Sequence, residues 1–192
     1  MFNSFLFIKN IKEFRAFLVL SFFMSLVVIL SNYLVQFPFN LLGLHEILTY
    51  GAFSYPIAFL ITDLANRIFG KKIARNVVYF GFFVGVLISF FFTLEQFNLI
   101  TVRIAIGSGV AFLTAQLFDI KIFDILRKKT WYIPPLISSV ISSTIDTFLF
   151  FSIAFYSTEM NWLTLALGDL CIKILVALSM LLPFRIVTRY FY

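Results

Sequence analysis

Five charged residues lie inside long apolar stretches of the sequence: Asp63, Asp119, Asp146, Asp169 and Lys173. In the centre of a membrane helix each such charge costs about 2.5–3.5 kcal/mol on insertion scales, so these residues indicate a function or a specific partner. A carboxylate accepts hydrogen bonds and can carry a proton, whereas an ammonium group only donates. Together they predict either internal ion pairs or a polar site for a small molecule within a membrane.

Lys173 has two candidate partners. Asp169 precedes it by four residues, in the acid-first order that favours an ion pair along one helix. That pair alone would leave Asp146 unpaired, so we expect Lys173 to face the helix that carries Asp146 as well. Counted at about 1.5 Å per residue, Asp146 and Lys173 both fall near the middle of their apolar runs. Asp119, close to Lys121, is either an interfacial residue or a member of a site.

Small hydroxyl residues accompany Asp146 on one helical face. Ser139, Ser142 and Ser143 come seven, four and three residues before it, which places all four on the same side of a helix. Such residues either allow helices to pack closely or line a polar cavity. The carboxylate at the end of the row favours the cavity.

Two further clusters contain an amide beside a carboxylate. Gln116 precedes Asp119 by three residues, and Asn66 follows Thr62 and Asp63. A glutamine amide offers a donor and an acceptor, which suits the edge of a heterocycle or else a neighbouring backbone carbonyl. We therefore predict these binding residues: Asp63, Asn66, Gln116, Asp119, Ser139, Ser143, Asp146 and Lys173.

The composition shows which elements must position these residues. Of 192 residues, 61% are hydrophobic and 12% are charged, and the mean hydropathy is +1.01. A soluble domain carries about 25% charged residues, so a soluble enzyme with a membrane anchor is excluded. A span needs about 20 apolar residues, and the sequence divides into six such runs, at about 14–35, 49–69, 77–94, 99–120, 132–156 and 162–187.

The predicted fold is therefore an all-α integral membrane protein with six transmembrane helices. They occupy residues 14–187, with short segments 1–13 and 188–192 outside the membrane. Of the 15 Lys and Arg residues, 13 fall in alternate connections on one side, Arg103 falls on the other, and Lys173 lies within a span. By the positive-inside rule this distribution predicts that both termini are cytoplasmic. Because the basic residues are spread over several connections, no nucleic-acid partner is predicted.

A proline precedes an aspartate in the middle helix of each half of the chain. The two pairs are Pro56 with Asp63, and Pro135 with Asp146. We take this as a hypothesis of two inverted three-helix halves, an arrangement common in transporters with sites at the membrane midplane.

The single cysteine, Cys171, and the single histidine, His45, exclude an intrachain disulfide and a metal cluster built from His and Cys. Cys171 lies in an apolar run and is predicted to be buried. No phosphate-binding loop of the form G-x-x-x-x-G-K-[ST] occurs, so nucleotide hydrolysis by that route is excluded. We predict neither a metal nor a cofactor.

Four blocks of the sequence, in order and at the expected spacing, resemble the queuosine precursor transporter family, also called the vitamin uptake transporter family. They are "TYGAFSYPIAFLITDLANRIFGKKIAR", "RIAIGSGVAFLTAQLFDIKIFDILRKK", "SSVISSTIDTFLFFSIAF" and "GDLCIKILVALSMLLPFR". The resemblance implies import of 7-cyano-7-deazaguanine and 7-aminomethyl-7-deazaguanine across the bacterial inner membrane, for salvage into the tRNA nucleoside queuosine. The chain would then be a carrier of a small molecule in the lipid bilayer, not an enzyme, and would need no ATPase subunit.

Family positions map here onto Thr62, Asp63, Ser108, Ala115, Gln116, Asp119, Asp146, Thr147, Lys173 and Pro183. Two positions depart from the family's pattern. Many relatives have an acidic residue shortly before Gly70, where this chain has Arg67. Many also have an Arg just ahead of the serines that precede Asp146, where this chain has Pro134. We expect these two positions to bear on substrate specificity.

Two other classes of protein compete with this interpretation. The substrate-capture subunit of an energy-coupling-factor vitamin transporter also has about six spans, but it docks its partner through small residues on the first helix. This chain offers Ser21 and Ser25 there, without an alanine pair. A membrane-embedded hydrolase needs a nucleophile with a base, facing aspartates or a metal. Asp63 and Asp146 could face each other, but no supporting motif accompanies them.

Overall fold

The computed structural model describes residues 11–34, 37, 39, 48–93, 99–157 and 161–191. Within these residues it contains six α-helices: α1 (Ile11–Leu34), α2 (Gly51–Phe69), α3 (Lys71–Thr93), α4 (Leu99–Leu126), α5 (Ile133–Phe155) and α6 (Trp162–Phe191). The prediction of an all-α fold is confirmed for this part of the chain. His45, most of segment 1–13 and residue 192 lie outside it.

Contacts at the two ends of the bundle show that successive helices run in opposite directions. At one end, Lys71 at the start of α3 forms an ion pair of 2.8 Å with Asp124 near the end of α4. At the other end, Arg103 near the start of α4 donates to the carbonyl of Ile153 near the end of α5. We call the end that holds Lys71 and Asp124 the basic end.

Three of the helices are long and apolar enough to cross a membrane by themselves. They are α1 over Glu13–Leu34, α5 and α6, judged on the described residues alone. Polar side chains interrupt the apolar sequences of α2 and α4, and the structure buries them between helices: Asp63, Asn66, Gln116 and Asp119. The chain is thus a helical membrane protein, while six spans and two cytoplasmic termini stay predictions.

Helix α2 lies at the centre of the bundle and packs against each of the other five helices. Ala58, Thr62, Ala65 and Asn66 on this helix have no exposed surface. Small side chains of this kind let neighbouring backbones approach closely. Ile57 on the same helix is exposed, so the polar residues lie on the side of α2 that faces the other helices.

Helix α1 packs closely along α3 through two glycines. A methyl group on Gly85 would lie 2.7 Å from Cβ of Val28, and one on Gly81 would lie 3.2 Å from the carbonyl oxygen of Ser21. Ser21 and Ser25 are both buried. The small-residue face of α1 is therefore covered by α3.

The packing does not follow the symmetry that two inverted halves would give. Among the described residues α1 lies along α3, whereas their counterparts in the second half, α4 and α6, share no comparable interface. Helix α4 packs chiefly along α5 instead. The contacts of the described residues therefore give no support to the hypothesis of two inverted halves.

The turn between α2 and α3 consists of Gly70 alone, whose φ is 87° and ψ 167°. That backbone conformation is essentially restricted to glycine. Cys171 on α6 is exposed, so the prediction that it is buried was wrong. Residues two apart on a helix point about 200° apart, and Cys171 therefore faces outward because Lys173 faces the interior.

Candidate functional site

Lys173 forms the centre of a buried cluster between α5 and α6. Its Nζ lies 2.8 Å from Oδ2 of Asp146 and 2.6 Å from Oδ2 of Asp169. It also donates to Oγ1 of Thr147 at 3.1 Å, and Thr147 donates to Asp169 at 2.8 Å. Both pairings predicted for Lys173 are confirmed. We call these four residues the lysine cluster; it holds one more acid than base.

Tyr55 lies beside the lysine cluster and was not singled out from the sequence. The Lys173 Nζ is 5.8 Å from the centre of its ring, within the range of a cation–π contact. The Tyr55 hydroxyl lies 2.7 Å from Oγ of Ser108 and donates to Oδ1 of Asn32 at 3.1 Å. Tyr55 precedes Thr62 by seven residues, so a shared helical face was the signal that could have identified it.

A second buried cluster brings together the carboxyl groups of Asp63 on α2 and Asp119 on α4, where hydrogen bonds between neighbouring residues join the two helices. Their residues are 2% and 0% exposed, respectively. Ser138 and Ser139 on α5 each donate to one carboxylate oxygen of Asp63, at 3.4 Å. Neither oxygen of Asp119 accepts a hydrogen bond from a described group. We call Asp63 and Asp119 the carboxyl pair.

Gln116 lies next to the carboxyl pair with half of its amide unused. Thr62 Oγ1 donates to its Oε1 at 2.5 Å, and its Nε2 has no acceptor among the described residues. The Gln116 side chain is completely buried. An unsatisfied buried donor costs about 1–3 kcal/mol, so this amide is placed where a ligand or water with an acceptor would stabilise it.

The buried serine residues of α5 extend from one cluster to the other along the helix. Ser138 and Ser139 contact the carboxyl pair, and Asp146 belongs to the lysine cluster about 12 Å farther along the helix at 1.5 Å per residue. Between them, Ser142 and Ser143 are buried, and neither Oγ has a hydrogen-bond partner in the described parts of the chain. The result is a continuous polar track inside the bundle.

Asn66 joins helices at the basic end instead of facing this track. Its Nδ2 donates to the carbonyl of Ile120 at 3.0 Å, and Arg127 donates to its Oδ1 and to its carbonyl at 2.5 Å. Arg67, one of the two departures from the family's pattern, donates to the Arg127 carbonyl at 2.9 Å. These bonds tie α2 to α4, and they occupy both polar groups of the Asn66 side chain.

A narrow cleft between α2, α5 and α6 reaches Asp63. Asp63 and Ser139 line it together with Pro56, Pro135 and Phe184. Its free interior is about the size of a water molecule. A two-ring heterocycle would enter only after the helices move apart. Among the described residues, no group of three or more His, Cys, Asp or Glu side chains is arranged to hold a metal ion.

The chain shares sequence with a recognised family of transporters. The model of the family described as "Putative vitamin uptake transporter" matches residues 49–188. The chain is 37% identical to a "Queuosine precursor transporter" from Escherichia coli (strain K12), over 90% of this chain and 86% of that protein. It is 34% identical to a "Probable queuosine precursor transporter" from Haemophilus influenzae, over 88% and 84%.

A third relative, a "Probable queuosine precursor transporter" from Bacillus subtilis (strain 168), is 27% identical over 68% of this chain and 67% of its own length. No solved structure matches the chain. The family match spans all of the polar residues of the two clusters, from Tyr55 to Lys173. This helical membrane protein therefore belongs to the vitamin uptake transporter family.

Proposed function

We propose that the chain imports the queuosine precursors 7-cyano-7-deazaguanine and 7-aminomethyl-7-deazaguanine across the bacterial inner membrane, for salvage into tRNA. In this proposal six helices span the membrane, with both termini in the cytoplasm and no ATPase subunit. The observation that carries it is the buried polar track, whose unsatisfied groups Gln116 Nε2, Asp119 Oδ1 and Oδ2, Ser142 Oγ and Ser143 Oγ lie within the bundle. The names of the relatives supply the class of substrate.

The chemistry of a deazaguanine matches the groups beside Asp63. The heterocycle presents ring and exocyclic N–H donors next to a carbonyl acceptor. A carboxylate can accept from both donors, and a side-chain amide can donate to the carbonyl. Asp63 and Gln116 suit these two roles better than Asp146 and Lys173, because the latter two already bind each other at 2.8 Å.

The competing classes receive less support. An energy-coupling-factor subunit would need an accessible small-residue face on α1, and Ser21 and Ser25 are buried against α3. A hydrolase dyad of Asp63 and Asp146 is not formed, because Asp63 lies beside Asp119 while Asp146 binds Lys173.

Complementation tests the proposal. The chain is expressed alone in a bacterium that can neither make nor import deazaguanine precursors, each precursor is supplied, and queuosine in tRNA is measured. We expect queuosine to reappear in the absence of any added ATPase module. If the protein is inserted in the membrane but no queuosine is formed from either precursor, the proposed substrate is wrong.

A further inference from the structure

The carboxyl pair differs from the lysine cluster in having no cation. Asp146 and Asp169 share Lys173, whereas the hydrogen bonds that Asp63 accepts come from the neutral hydroxyl groups of Ser138 and Ser139. None of the ion pairs among the described residues includes Asp63 or Asp119. Two carboxyl groups that are buried close together without a cation are costly to ionise at the same time, so at least one of them is expected to carry a proton.

Other charged groups on the helices packed against α2 do not supply the missing charge. Asp124 on α4 binds Lys71 and Arg127 at the basic end, and Arg103 donates to α5 carbonyls at the opposite end. Arg67 of α2 itself donates to the Arg127 carbonyl. The remaining charged residues on the described helices lie within the first or last two turns, toward the basic end: Lys12, Glu13, Arg15, Lys72, Arg75, Lys121, Arg185 and Arg189.

An independent observation points to a ligand at the same place. The Nε2 of Gln116 is buried, unpartnered and belongs to a side chain that contacts Thr62, the residue before Asp63. It is the donor that the substrate carbonyl would meet under the proposed function. The proton of the carboxyl pair and the substrate would therefore occupy adjoining positions, and Asp63 also lines the narrow cleft between the helices.

We propose that the carboxyl pair carries a proton together with each substrate molecule, so that import is driven by proton entry. This inference rests on the proposed function. Asp119 holds the proton while Asp63 accepts the N–H groups of the substrate. The proton is taken up when the pair is open to the outer solution and leaves when it opens to the cytoplasm. For 7-cyano-7-deazaguanine, which is neutral, one substrate molecule and one proton thus cross together, with a net transfer of one positive charge.

Purified full-length protein in liposomes tests the proposal with labelled 7-cyano-7-deazaguanine. The membrane potential is clamped, and an inward proton gradient of about one pH unit gives a tenfold ratio of proton concentrations. Because one proton accompanies each substrate molecule, we expect up to about tenfold accumulation of label. Without an imposed gradient, adding substrate should acidify the lumen, as read by an enclosed pH-sensitive dye. The acidification measurement tests the parent protein directly and needs no variant.

The variant Asp119→Asn replaces the acid by an amide that cannot release a proton. Whatever uptake it retains is expected to be insensitive to the gradient and to leave lumenal pH unchanged. The matched control, Asp124→Asn on the same helix, should accumulate substrate as the parent does. Uptake by the parent without gradient dependence or acidification would overturn the proposal, as would full gradient dependence in Asp119→Asn. Absence of uptake at any pH overturns the proposed function itself, and this inference with it.

Discussion

At the scale of single residues, Lys173 forms ion pairs with two acids in the interior of the bundle. The ammonium group is within 2.8 Å of both Asp146 and Asp169, and the residue is 3% exposed. Each partner is thereby relieved of the cost of an uncompensated buried charge. The lysine cluster consequently works as one unit, and the effect of changing any member depends on the others.

Replacing Lys173 by Met, which keeps the length of the side chain, should destabilise the protein by about 3–5 kcal/mol, because it leaves two buried carboxylates without a cation. Thermal unfolding in detergent measures the loss. Adding Asp169→Asn to Lys173→Met should recover part of it, since one of the two charges is then removed. Equal melting temperatures for parent and Lys173→Met would contradict the role given to the cluster.

Gln116→Glu tests the unused amide donor beside the carboxyl pair. The change keeps the shape of the side chain but replaces the Nε2 donor by an oxygen, so the contact proposed for the substrate carbonyl is lost. We expect the KM for uptake to rise about tenfold or more, which corresponds to one lost hydrogen bond of about 1.5 kcal/mol.

Thr144→Val is the control for Gln116→Glu, because the Thr144 hydroxyl donates to the Val140 carbonyl of its own helix. Its KM should remain that of the parent. An unchanged KM in Gln116→Glu would remove Gln116 from the binding site.

The sequence predicted the partners of Lys173 but not those of Asp63. Spacing along one helix identifies Asp169, and the need to neutralise a second acid identifies Asp146. Asp63 and Asp119 lie on different helices, α2 and α4. The periodicity within either helix therefore does not predict the distance between these two side chains. For the same reason Asn66 was predicted to bind substrate, while the structure uses its amide to link α2 with α4.

At the scale of elements, the helices extend beyond the apolar runs that identified them. Helix α3 begins at Lys71 and α4 ends at Leu126, whereas the predicted spans were about 77–94 and 99–120. Hydropathy indicates which residues can lie in the hydrocarbon core of the membrane. A helix extends as far as its backbone hydrogen bonds continue, which can be beyond that core. The close packing of α1 on α3 likewise depends on where two glycines meet a neighbour, which is not visible in hydropathy.

Gly85→Val should force α1 away from α3. The added Cβ would lie 2.7 Å from Cβ of Val28, a stiff β-branched residue, and overpacking of this kind costs about 1–3 kcal/mol. The control is Gly109→Ala, whose Cβ would make an ordinary contact of 3.5 Å with Phe82. We expect a lower melting temperature in detergent for Gly85→Val only, and partial recovery when Val28→Ala is combined with it. Equal stability of both glycine variants would argue against this interface.

At the scale of the whole molecule, one central helix organises the site. Because α2 contacts all five other helices, a movement that opens the cleft must slide neighbouring helices past α2. If the basic end opens, the hydrogen bonds made there by Asn66, Arg67 and Arg127 must break. The predicted all-α architecture was confirmed for the described residues, but the arrangement around α2 was not predictable. Hydropathy identifies which segments are apolar and contains no information on which helix lies at the centre.

The proposed topology of six spans requires both ends of the chain to lie on one side. We expect a fluorescent protein that matures only in the cytoplasm to fluoresce when fused at either terminus. A periplasm-active enzyme should be active when inserted between Tyr156 and Trp162, where α5 ends and α6 begins. The opposite result at a single terminus would mean an odd number of spans.

The outward position of Cys171 makes the chain suitable for site-directed spectroscopy without any prior engineering. It is the single sulfhydryl of the whole sequence, and it stands two residues from Lys173 on the opposite side of α6. A nitroxide attached there would sense oxygen dissolved in lipid or a nickel chelate dissolved in water, according to its depth. Recorded with and without substrate, such a signal would follow the motion of α6 directly, at the level of the lysine cluster.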